Sequence, residues 1–395
     1  MNLRSLFLIS LVLVFALSTN AQTSSVFTTG LHTPNKIITG PGNILLVTEA
    51  GTTTPNTGRI SVIDGTTGER RTLIDGLPSA VSFLGNPMGD PDGPSGLYRQ
   101  GNTLYVTIGI GDSTLPGAGP GLEVVNPSPS SPLFDSVLEI TFPRGFPNFG
   151  GGFTLTAADQ TALASGSTVR LLNDDGRALS IRLAADLQNY RPAPRPGFPD
   201  NVKGSHLYGI VLYRKTFYLA DAGHNQIKAV NSATGDISIL VTFPDRPNPL
   251  FGTIGGPFVE AVPDNVHRVG NRLIVPLLTG FPFVPGLSEI RSVGIRPGGD
   301  VSLIGGLSSA IDVMRADTDD EDFAGEDGAY YTLEFSTNQL AGEPGRLRLY
   351  SSPDAAPITL LSDLITPTSM ALDDDSGTIF ITNIAAGTVT RVILP

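Results

Sequence analysis

Cysteine and tryptophan are absent from this chain, and only four histidines and four methionines occur among its 395 residues. Without cysteine there are no thiol nucleophiles, no disulfides and no thiolate metal sites. Four histidines leave little material for a multi-histidine transition-metal centre. Basic charge is also scarce: 25 Lys and Arg stand against 37 Asp and Glu, a formal net charge of −12. Such a balance disfavours nucleic acid and anionic membrane surfaces as partners. No Gly-x-Ser-x-Gly elbow, His-Glu-x-x-His helix, P-loop or dinucleotide-binding glycine pattern occurs.

Long apolar runs are lacking too. The one candidate, Leu6 to Leu17 with Ser10 inside it, falls short of the roughly 20 residues a spanning helix needs. Arg4 precedes this run and Thr19-Asn20-Ala21 follows it, which is the anatomy of a signal peptide over residues 1–21. The mature chain, from about Gln22, is expected to be exported to periplasm or exterior, monomeric and without a transmembrane segment. The absence of cysteine excludes a lipoprotein anchor.

What is present is punctuation: 46 Gly and 32 Pro separate short runs of Val, Ile, Leu, Thr and Tyr. One unit recurs, a tight polar turn followed by a short apolar strand that ends on a distinctive position. The strands are Leu45–Glu49, Leu104–Ile108, Phe217–Asp221, Leu273–Leu277, Tyr330–Glu334 and Ile379–Asn383. Continuous apolar runs of this length suit strands buried on both faces. The turns before them carry Gly, Asn or Asp, as hairpins needing positive φ require. Arg214-Lys215 is the odd one out.

The last residues of these strands are spaced by 59, 113, 56, 57 and 49 residues. Four intervals suit a four-stranded blade with loops, longer than the roughly 40–45 residues of a WD40 unit. The spacing predicts an all-β, six-bladed β-propeller, a single domain over residues 22–395. The doubled interval reads as an insertion in blade 2 over about 113–200; a seventh blade there is the alternative. Val137–Ile140 reads as the third strand of blade 2, Ile181–Ala184 as its outer strand, and Thr156 as the cap of a short helix. Ser25–Thr29, paired with Val389–Leu394, would complete the last blade and remove an exposed edge.

Several runs resemble the ScyD/ScyE family: Leu104 to Gly111, Asp221-Ala222-Gly223-His224-Asn225, Leu278-Thr279-Gly280-Phe281-Pro282-Phe283 and Ile365-Thr366-Pro367-Thr368. The resemblance extends over nearly the whole mature chain. It implies export and a six-bladed propeller of the TolB-like or NHL-like kind, without an established reaction. The chain departs from that pattern at Leu277, where the family has an acid. It departs again at His206-Leu207-Tyr208-Gly209, in place of Asn-Pro-Tyr-Gly.

Equivalent strand ends lie in a ring, so Glu49, Asp221, Glu334 and Asn383 are expected to converge near one channel mouth. His206, Tyr208 and Asp312 join them as candidate ligand-binding residues. Oxygen donors of this kind suit Ca²⁺ or Mg²⁺, and the metal set would be Glu49, Asp221, Glu334 and Asn383. The competing reading is structural, since polar residues at strand ends accept backbone and side-chain hydrogen bonds. His224 is a candidate general base or an exposed loop histidine; His32 and His267 carry no motif. The acidic run Asp317–Asp322 reads as a solvated loop, and Phe281 and Phe283 as rim or core aromatics. Two functions follow: a binding or scaffold propeller for a small ligand or protein, or a metal-dependent lactonase of SMP-30 type. A purely structural envelope or matrix role is the third reading.

Overall fold

The computed structural model describes residues 22–84, 86, 88–119, 121–143, 152–296, 299–316 and 326–394. The signal segment and the acidic run Asp317–Asp322 lie outside them. Among the described residues no helix is long and apolar enough to cross a membrane.

The fold is all-β, a β-propeller arrangement of sheets that share one plan. Six of the sheets are antiparallel meanders, each beginning on an innermost strand. Sheet 1 runs Pro34–Gly40, Ile44–Glu49, Gly58–Asp64, Arg70–Leu77; sheet 2 runs Pro94–Gln100, Thr103–Ile108, Ser136–Thr141, Ala178–Asp186 and Val169–Leu172. Sheet 3 is Leu207–Tyr213, Thr216–Asp221, Gln226–Asn231, Ile237–Thr242; sheet 4 is His267–Val269, Arg272–Leu277, Ser288–Gly294, Asp300–Leu307. Sheet 5 is Ala310–Arg315, Tyr330–Glu334, Gly345–Tyr350, Ile358–Leu364. Sheet 6 is Pro367–Asp373, Thr378–Asn383, Thr388–Ile393 and, as its outer strand, Thr23–Thr28. That N-terminal strand pairs antiparallel with Thr388–Ile393, Thr23 opposite Ile393.

The six recurring apolar runs are the second strands. Ile44–Glu49 and Thr378–Asn383 are buried at every residue, whereas the outer strand Ile237–Thr242 has no buried residue. This gradient explains why second strands read as continuous apolar runs and outer strands do not. The apolar core lies between neighbouring sheets, with Tyr330, Phe134, Phe153 and Phe217 among its largest fully buried side chains.

The doubled interval contains no further second strand among its described residues. It supplies the outer strands of sheet 2 and the helix α1 (Ala157–Ala164), capped by Thr156 as expected. Phe153–Thr154 pairs parallel with Arg70–Leu77, so the segment also reaches back to sheet 1. Buried Gln160 of α1 fastens it there, donating to Gly76 O at 2.9 Å. Residues near the two ends of the segment form a small extra sheet: Thr114–Pro116, Glu123–Val125, Tyr190–Pro192 and Val202–Gly204.

Hydrogen bonds join successive sheets near their innermost strands. Asn35 Nδ2 donates to Pro94 O (3.0 Å), Thr107 Oγ1 to Tyr208 O (2.9 Å) and Gly209 N to Asp264 O (2.8 Å). Asn265 Nδ2 donates to Ile311 O (3.4 Å), Ser369 Oγ to Asp312 (3.0 Å) and Thr368 Oγ1 to Pro34 O (2.9 Å).

Innermost strands share a second feature. Pairing with the second strand slips between Pro34 and Ile37, Pro94 and Leu97, Leu207 and Ile210, Ala310 and Asp312, and Pro367 and Ser369. A bulge turns side chains out of strict alternation. Lys36 and Tyr208 lie within these irregularities, and Asp312 ends one.

Candidate functional site

The strand-end residues do not form a common site. Glu49 is fully buried and bound within its own sheet: Arg59 at 2.6 Å, Ser61 Oγ at 2.5 Å and Arg70 at 3.5 Å. Glu334 is engaged by Arg346, by Arg348 at 2.6 Å and by the Ser308 amide at 2.8 Å. Asp221 takes Lys228 at 2.5 Å, His224 Nδ1 at 2.8 Å, Ser205 Oγ at 3.0 Å and the His206 amide at 2.9 Å. Burial alone would raise the Asp221 pKa; His224 and Lys228 overcome that and hold it below the usual carboxylate range. Asn383 Nδ2 donates to Thr388 and Thr390 on the adjacent strand.

The pattern is a repeated pin: an acid ending the second strand is held by a base on the third. At sheet 4 the roles shift by one strand. Leu277 lies opposite Glu289, which itself pairs with Arg246 and with Arg291 at 3.0 Å. A divalent cation at the ring positions would face guanidinium and ammonium groups, so this donor set does not fit Ca²⁺ or Mg²⁺. Among the described residues no three His, Asp or Glu gather to hold a metal. The structural reading of the strand ends is the one the contacts support.

His224 is buried, not an exposed loop residue. Its Nδ1 faces Asp221 and its Nε2 faces Lys203 O at 3.1 Å, so neither nitrogen is open. Phe281 is 52 % exposed, its ring 6.0 Å from that of Phe283.

The other three candidates, His206, Tyr208 and Asp312, fall in a polar cluster on and beside the innermost strands. Asp312 is fully buried and receives His267 Nε2 at 2.8 Å, Lys36 Nζ at 3.4 Å, Ser369 Oγ at 3.0 Å and the Met370 amide at 3.0 Å. These residues come from sheets 1, 4, 5 and 6. Burial would push the Asp312 pKa up, but Lys36 and His267 hold it well below the usual range. His206 Nε2 lies 3.2 Å from Asp92, and its ring meets Tyr208 edge-on with centroids 6.1 Å apart. Asp92 is itself fixed by the amides of Gly93 and Gly111, both at 2.8 Å. Gly109 makes room for it, since a Cβ there would collide with the Asp92 carboxylate. Only glycine permits that approach.

Two histidines thus stand in matching situations. Each is the more open member of an Asp–His pair, with side-chain exposures of 26 % for His206 and 29 % for His267 against 8 % and 0 % for the aspartates. Burial alone would lower the His206 pKa; the Asp92 carboxylate outweighs it and raises the pKa to about 9. Two further acids border His206 in the opposite state. Asp135 is fully buried with both carboxyl oxygens unpartnered, and burial, reinforced by nearby Asp221, raises its pKa well above the ordinary value. Asp264, with an unpartnered Oδ2, is raised by burial against the opposing pull of His206. Around one imidazole, then, one carboxyl is biased towards its charged form and two towards their neutral form.

Sequence reasoning missed Lys36, Asp92, Asp135, Asp264 and His267. His267, which carries no motif, is a principal member of the cluster.

The sequence matches no family model and no curated protein significantly. Among solved structures, the chain is similar to a putative oxidoreductase (glucose dehydrogenase) of Thermus thermophilus, at 13 % identity and TM-score 0.47 over 94 % of this chain and 100 % of that one. It is similar to the PQQ-bound aldose sugar dehydrogenase of Streptomyces coelicolor, at 14 % identity and TM-score 0.44 over 94 % and 98 % of the two chains. A Bacteroides thetaiotaomicron protein of unknown function aligns at 11 % identity and TM-score 0.46, over 94 % of this chain and 76 % of that one. At these scores nothing about the site carries over from them.

Proposed function

We propose that this is an exported, six-bladed binding propeller whose central channel takes a small, oxygen-rich ligand between His206 and His267. In this reading the six sheets are blades, and the strand Thr23–Thr28 closes the ring on the last. The run of inter-sheet hydrogen bonds from Asn35 round to Thr368 supports closure, as does the pairing of the first strand with the last. The resemblance to ScyD/ScyE propellers supports the same shape and export.

One observation carries the ligand reading: two part-open histidines, each oriented by a buried aspartate. Their Nδ1 atoms have no hydrogen-bond partner among the described residues. A protonated His206 presents a donor, so the ligand it suits offers acceptor oxygens. Sugars and their lactones have that chemistry, and no metal is needed to hold them.

The test is calorimetric titration with D-glucose and with glucono-1,5-lactone. Binding of either, lost in His206→Gln and His267→Gln, is the expected result; no heat with either probe would sink the proposal for oxygen-rich rings. Turnover of the lactone, abolished in His267→Gln, would favour a hydrolytic reading with His267, oriented by Asp312, as general base.

A further inference from the structure

A cavity of about 590 Å³ opens at the end of sheets 3 and 4 away from the His206–His267 cluster. Its walls are the Arg214 hairpin, which joins Leu207–Tyr213 to Thr216–Asp221, and the ends of the strands about Arg272 and Gly294. The size is within the range of small-molecule sites. In a chain with net charge −12, this cavity is basic: Arg214, Arg272 and Arg296 line it. Arg272 is held by Glu326 and by Gly299 O at 2.7 Å. Arg214 and Arg296 have no ion-pair partner among the described residues, and both are exposed. Tyr213 and Tyr218 add two ring surfaces, and the guanidinium carbons of Arg214 and Arg268 sit 4.9 and 4.5 Å from the Tyr213 ring centre.

The hairpin is an independent signal. Both central residues, Arg214 (φ 48) and Lys215 (φ 64), lie in the left-handed region. Equivalent turns use Asn43, Gly101, Gly270 and Gly377 at similar φ. Side chains other than Gly, Asn and Asp are strained there, and such strain concentrates where the side chain serves a function. Here the strained turn places an arginine on the cavity rim.

We infer that this cavity is a second binding site, selective for a small carboxylate attached to a ring, with Arg214 and Arg296 on the carboxylate and the wall that Tyr213 and Tyr218 line beside the ring. Planar guanidinium groups match a carboxylate bidentately, and a wall lined by tyrosines offers apolar surface with polar edges to a ring. The site lies apart from the His206–His267 cluster and stands whether or not that cluster binds a ligand.

The experiment titrates D-glucuronate and benzoate into the full-length mature protein and three variants: Arg214→Asn, Arg296→Gln and His267→Gln. At least one probe should bind with a Kd of about 1 mM or tighter, and which one distinguishes a sugar acid from an aromatic acid. Affinity should fall about tenfold or more in both arginine variants and stay unchanged in His267→Gln. Arg214→Asn should also melt no lower than the parent, because asparagine relieves the left-handed strain. The inference is overturned if neither probe binds at about 10 mM. Retention of affinity in both arginine variants overturns it too, as does loss of affinity that follows His267 instead.

Discussion

Replacing His206 by glutamine removes a histidine whose protonation is displaced well above its ordinary range. Its pKa of about 9 in the folded chain compares with about 6.5 for an unfolded histidine. A displacement of that size corresponds to about 3 kcal/mol between protonation states. The folded pKa is the higher one, so the stabilisation is fully present below about pH 6.5 and disappears as pH rises through about 9. Because the ring is 26 % exposed, solvent screening reduces what is realised to about 1–2 kcal/mol at pH 7. Urea unfolding of parent and His206→Gln across about pH 6 to 10 measures it directly. The stability gap should narrow by about 1–2 kcal/mol over that range and nearly close at the alkaline end. A gap that stays constant with pH would refute the Asp92–His206 coupling.

Three other outcomes follow from the same contacts. Glu334→Gln leaves Arg346 and Arg348 without their shared carboxylate and should cost about 3–5 kcal/mol in urea unfolding. Asp135→Asn removes a buried carboxyl whose charged form burial disfavours, and should stabilise the protein at neutral pH by about 1 kcal/mol. The folded Asp135 pKa is raised by burial, so the parent's penalty vanishes as pH falls below the ordinary carboxylate value, and so should the gain. Deleting residues 22–30 strips the partner of Thr388–Ile393 and should lower the melting temperature; an unchanged value would count against closure by the first strand.

The fold was legible wherever a strand is buried on both sides. All six second strands stand where their apolar runs predict, and Thr156 caps a helix over Ala157–Ala164. The outer strand Val169–Leu172 was not legible, because half-exposed edges carry no continuous pattern. The site was only partly legible. Repetition drew attention to Glu49, Asp221 and Glu334, and repetition is the mark of a fold-wide need; each holds a base on the next strand. Arg59, Lys228, Arg346 and Arg348, a strand further on, were the available signal that these acids have internal partners. Lys36, Asp92, Asp264 and His267 occur once each, at bulges and strand approaches where alternation fails, and they meet only through tertiary packing.

Pairing of Thr23–Thr28 with Thr388–Ile393 also orders events in time. The strand Thr23–Thr28 finds its partner in a strand that lies five sheets further along the chain. Completion of sheet 6 therefore waits on a contact of very large sequence separation, and folding of that kind is slow. Under the export proposed for this chain, the delay is useful. A chain whose last pairing is slow stays open, and so threadable, for longer.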